Sequence, residues 1–197
     1  MNEKSSHIDL LAVWRTSNRV TEFFFGNLPS ELWGEKIPGA PQRTIRMIAG
    51  HIHNARCMWI KMIGRRYGVQ APKSVDRRRV TRPELLRALK KSNQGIIDLL
   101  SAGLEHGGEL KIKIPWSNIP DDALHFMCYL IAHEAHHRGQ IVLAARELGH
   151  RLPQSVTSGL WQWKRYNQEI SRPPRSAELK PRGRGKPRKI LGRGRVE

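Results

Sequence analysis

The run His133-Glu134-Ala135-His136-His137-Arg138-Gly139-Gln140 constrains this chain most, because it places polar side chains on a helix face that the flanking residues make apolar. Phe126, Leu130, His133, His137, Ile141, Ala144 and Leu148 recur at steps of three and four residues, the pattern of a face turned into a bundle core. At about 100° per residue, His133 and His137 stand one turn apart on nearly the same face and can share one divalent metal ion. An imidazole in such a place needs a hydrogen-bond partner or a metal, since burying it unsatisfied costs about 1–3 kcal/mol. One core histidine is most simply a satisfied one; two at this spacing suggest a ligand pair.

A third ligand is available upstream. Between Arg43 and Arg65 the residues Ile45, Ile48, Ile52, Ala55, Trp59 and Met62 form an apolar face. His51 falls within about 60° of the centre of that face, whereas His53 is expected on the opposite side, pointing outward with Arg46, Arg56 and Ile60. His51, His133 and His137 would then give a three-nitrogen site with open positions, which is what separates a catalytic metal from a structural one.

Gly50-His51-Ile52-His53, followed about eighty residues later by His133-Glu-Ala-His-His137-Arg-Gly-Gln140, resembles the DinB-like proteins. These are a superfamily of metal-binding four-helix bundles that also includes thiol-dependent transferases and isomerases. The likeness runs over roughly residues 7 to 170. It implies an all-α four-helix bundle and a metal, zinc or nickel, on His51, His133 and His137. It also implies a low-molecular-weight thiol delivered to a small electrophilic substrate.

The rest of the chain fits one domain over residues 1–171. A first helix is expected over 7–27, a second over 43–65, a third opening at the capping box Thr81-Arg-Pro83-Glu84 and ending near Gly103, and a fourth from Pro120-Asp121-Asp122 to near Gly149. Trp33 lies in the first connection, before the breaker Ile37-Pro38-Gly39-Ala40-Pro41, and is expected to cover the bundle end. Leu110, Ile112 and Ile114 alternate with Lys111 and Lys113, suggesting a strand fragment from Glu109 to Pro115. A short aromatic helix over 157–170 would cap the bundle. Cys57 and Cys128 read as buried free thiols. No apolar run approaches a membrane span and the N-terminus lacks the order of a secretory signal, so the expected location is cytoplasmic. A homodimer through an apolar face is a further expectation.

The formal charge of +18 favours polyanions without choosing among them. From Lys61 to Arg82 eight basic residues face one acid, Asp76; this reads as a solvated loop, with an anion-binding rim as the functional alternative. Residues 172–197 hold ten Lys or Arg and two Glu and are expected to form a disordered basic tail. Within it Arg182, Arg184, Lys186, Arg188 and Lys189 partly match an AT-hook, with Gly185 where that element has proline. A non-enzymatic nucleic-acid-binding or stress-associated protein using this tail is therefore the competing function. Within the histidine run, Glu134 could serve as the base of a His-Glu-x-x-His protease, although Gln140 and Leu143 stand where the longer protease motif needs glycine and histidine. His136 reads as a surface residue or a base beside the metal, and Gln140 as a residue orienting a ligand. The functions weighed are metal-dependent thiol transfer and a related hydrolysis.

Overall fold

Three of the four long helices begin at a side chain that satisfies one of their own free amides. In the computed structural model, which describes residues 3–114 and 116–171, Thr44 accepts from the Met47 amide and opens α2 (Ile45–Ile63). Thr81 and Glu84 form the expected capping box at the start of α3 (Arg82–Glu105). Asp122 accepts from the His125 amide at 2.7 Å and opens α4 (Ala123–Glu147). The first helix, α1, spans Glu3–Asn27. Pro115 and the tail residues Arg182, Arg184, Lys186, Arg188 and Lys189 lie outside the described residues.

The fold is the all-α bundle that the periodicities predict. α1 and α2 each pack against both α3 and α4. α2 comes so near α3 at Gly95 that a Cβ there would lie 2.7 Å from Ile60 Cδ1. The expected single C-terminal helix is two short ones, α5 (Gln154–Gly159) and α6 (Trp163–Ser171), both docked on α1. Tyr166 is buried in that docking and donates to the Gly159 carbonyl, while Trp161 is 80% exposed. No described helix is long and apolar enough to cross a membrane.

Extended structure occurs elsewhere than the alternation suggests. β1 (Lys36–Ile37) and β2 (Ala40–Thr44) form a small antiparallel hairpin at the proposed breaker, with Gly39 at φ 73° in the turn. Segment 109–114 contributes only an isolated bridge between Glu109 and Asp122. Its alternation still sorts side chains: Leu110, Ile112 and Ile114 are buried and Lys113 is exposed. Burial on one side sets that period without a partner strand. Trp33 is half-buried and donates to the Val80 carbonyl at 2.9 Å, tying the first connection to the start of α3.

The apolar core is divided in two. One cluster gathers Trp14, Trp59, Ile96, Leu100 and Phe126; the other gathers Phe24, Leu28, Ile52, Leu89 and Ile141. Between them each of the four long helices supplies polar side chains: Asn18 and Thr21 from α1, His53 and Arg56 from α2, Ser92 from α3, Glu134 and Arg138 from α4, all buried. Arg56 and Glu134 form a two-pronged ion pair, Nε to Oε1 at 2.6 Å and Nη2 to Oε2 at 2.8 Å. Further bonds surround the pair. Arg56 Nη1 donates to Asn18 Oδ1 at 2.8 Å, Thr21 donates to Glu134 Oε2 at 2.7 Å, and Arg138 donates to Thr21 at 2.6 Å. Burial alone would raise the pKa of Glu134, but the charge and donors of Arg56, with help from Arg138 and Thr21, outweigh it and hold the carboxyl below its usual range.

Removing one member of such a pair strands the other without solvent. Glu134→Ala should lower the unfolding free energy by about 3–5 kcal/mol in urea titration, whereas the exposed His136→Ala should stay within about 0.5 kcal/mol of wild type. Equal effects of the two would contradict this account of the polar layer.

Candidate metal centre

α2 and α4 lie side by side, and at the level of the polar layer each turns histidine toward the other. His51 projects from α2, and His133 and His137 from successive turns of α4. Their Nε2 atoms converge: His133 to His51 at 3.3 Å and His133 to His137 at 3.1 Å. One nitrogen from each of the three lies within 4.8 Å of the others, and all three residues are half-buried. They form the group of potential metal-binding side chains found among the described residues.

The donor set fits a metal ion. Nitrogen ligands about 2.0–2.1 Å from a shared ion are separated by about 2.8–3.4 Å for bond angles between octahedral and tetrahedral, which brackets both contacts. The protonation states fit too. His137 Nδ1 lies 2.8 Å from Gln140 Oε1, which can only accept, so the ring carries its proton there and leaves the Nε2 lone pair facing its neighbours. Gln140 in turn donates to Nε2 of the exposed His136 at 2.9 Å. Burial first, then the neighbouring imidazoles, with Arg77 and Arg43 for His51, lower the pKa of His51 and His133 from 6.5 to about 4. Burial lowers that of His137 as well, against the opposing effect of the Gln140 bond. Neutral imidazole is the form that coordinates a metal.

Other expectations are corrected. His53 is fully buried, not outward: its Nδ1 lies 3.0 Å from Ser92 Oγ and its Nε2 lies 3.0 Å from the Lys73 carbonyl. Because a carbonyl only accepts, Nε2 carries the proton and His53 pins the loop after α2 onto the helix. Arg56 and Ile60, placed with it on the outer face, are buried too, whereas Met62 is exposed. The error has one cause: α2 is covered by α3, α4 and the loop from Gly68 to Thr81, so it has no broad solvent face. Glu134, with both oxygens occupied by Arg56 and Thr21, is not placed to serve as a protease base. Cys57 is buried with its thiol pushed up to about 11, chiefly by burial. Cys128 is exposed, not buried.

Sequence reasoning missed Asn54, whose side chain donates to the Val75 carbonyl at 3.0 Å and accepts from the Val75 amide at 2.9 Å. Its signal was a short polar residue within an apolar helix. Sequence reasoning also missed the partnership of Arg43 and Arg77, which line a cavity of about 170 Å³ beside His51, His137 and Gln140.

A family model described as the DinB family matches residues 1–169. No curated protein and no solved structure matches this chain. The family match covers most of the chain, and the protein belongs to the DinB family.

The lowered histidine pKa values fix the sign of a pH effect. The unfolded chain takes up protons first as pH falls below 6.5, so the stability that depends on neutral His51 and His133 is complete above that value and is lost toward pH 4. In the metal-free protein the melting temperature should fall across this interval, and His133→Ala should show a shallower fall. Parallel slopes for the two proteins would contradict the assignment.

Proposed function

We propose that this DinB family member holds one divalent metal ion, zinc or nickel, on His51, His133 and His137 and uses it in transferring a low-molecular-weight thiol to a small electrophile, or in a related hydrolysis. The observation that carries the reading is the convergence of imidazoles from two helices, with His133 Nε2 3.3 Å from that of His51 and 3.1 Å from that of His137, and one nitrogen of each ring within 4.8 Å of the others. When bound, such an ion supplies Lewis acidity that lowers the pKa of a thiol or water at an open position.

The chain's own residues prepare that chemistry. Gln140 fixes the tautomer of His137, so that its metal-facing nitrogen carries no proton. The Arg56–Glu134 pair fixes α2 against α4, and with it the separation of His51 from the other two rings. Burial keeps the imidazoles neutral at physiological pH. Three protein ligands leave room for a reactant, unlike the closed four-ligand sets of structural zinc.

Elemental mass spectrometry on untagged protein loaded with zinc or nickel should find about one ion per wild-type chain. His51→Ala, His133→Ala and His137→Ala should each lose most of it, and His136→Ala should retain it. Metal retained in all three ligand variants would refute the site. Metal lost together with thiol-transfer activity toward a generic electrophile would support the reaction.

A further inference from the structure

We infer that Arg43 and Arg77 grip the carboxylate of a small organic acid beside the three histidines; the identity of the reacting centre rests on the metal-site reading above. The cavity they share with Met47, His51, His137 and Gln140 is about 170 Å³. No carboxylate lines it. Among the described residues neither arginine makes an ion pair: Asp76 is engaged by the Arg78 amide and by Arg79, and Glu134 by Arg56 and Arg138. Two guanidinium charges therefore face a small recess with nothing to balance them, and a divalent ion would add to the excess. The recess is thus electrostatically suited to an anion.

Arg77 is placed rather than merely nearby. Its loop is clamped to α2 by the two Asn54–Val75 bonds and by His53 on the Lys73 carbonyl. Gly50, one residue before His51, lets the loop descend: a Cβ there would lie 3.1 Å from Arg77 Cγ and 3.4 Å from its Cα. Arg43 reaches the same recess from β2, next to the Thr44 cap of α2. Two clamped structures thus bring one guanidinium each to the same side of the histidines. A guanidinium presents paired donors that match the two oxygens of a carboxylate. The recess is well below the roughly 300–1,000 Å³ of sites for larger ligands, so the bound acid is small.

The test is calorimetric titration of succinate into the full-length zinc-loaded protein, with zinc per chain measured on the same samples. Succinate should bind wild type, and Arg43→Gln and Arg77→Gln should each weaken it by about tenfold or more, with zinc content unchanged. Both arginines are exposed, so neither substitution removes a core contact. Arg77→Lys, which keeps the charge without the fork, should give an intermediate loss, and neutral succinamide should not bind. Equal succinate affinity in wild type and variants, with zinc retained, would overturn this inference and leave the metal site standing. Failure to take up zinc, with succinate binding that still depends on the arginines, would support the inference and refute the metal site. Inorganic phosphate binding more tightly than succinate would overturn the carboxylate assignment.

Discussion

The ion pair between Arg56 and Glu134 is the contact on which the geometry of this bundle depends. It joins α2 to α4, the two helices that carry the histidines, and Glu134 is the immediate neighbour of His133. Buried ion pairs contribute little net stability, because desolvating both charges offsets most of their attraction. Their directional bonds do discriminate between arrangements. Leucines at these positions would tolerate a slide of one helix along the other, whereas a two-pronged contact with oxygen–nitrogen distances of 2.6 and 2.8 Å holds one register. A register error of one helical rise per residue, about 1.5 Å, would pull His51 away from His133.

The same layer explains why the site stands at this height in the bundle. Polar residues from all four long helices interrupt the core between its two apolar clusters, and the histidines occupy the side of that interruption where α2 faces α4. One wall is thus the hydrogen-bonded layer around Arg56 and Glu134. The other is the clamped loop with Arg77 and the hairpin with Arg43, which leaves a small cationic recess open beside the imidazoles. The layer fixes the rings, and the recess lies open beside them.

Much of this was legible in the sequence. Steps of three and four residues give the four long helices, start signals mark the third and fourth, and the spacing of His133 and His137 with the phase of His51 picks out the rings that converge. The phase argument failed at His53, Arg56 and Met62, because it grants each helix one buried face and α2 is enclosed on several sides. The polar layer was illegible for a related reason. Asn18, Thr21, Ser92 and Arg138 each look like ordinary polar positions in their own helices, and only the packing shows that they lie at one level. The hairpin escaped notice because its prolines and glycine read as breakers, while the alternation at 110–114 reports burial and not strand pairing.

The measurement that bears most directly on the central claim is X-ray absorption at the zinc edge of the full-length zinc-loaded protein. Three converging imidazoles predict nitrogen or oxygen neighbours at about 2.0–2.1 Å, with outer-shell scattering from about three histidine rings and no sulfur. A zinc–sulfur distance of about 2.3 Å, or a first shell lacking histidine scattering, would contradict the claim by placing the ion elsewhere.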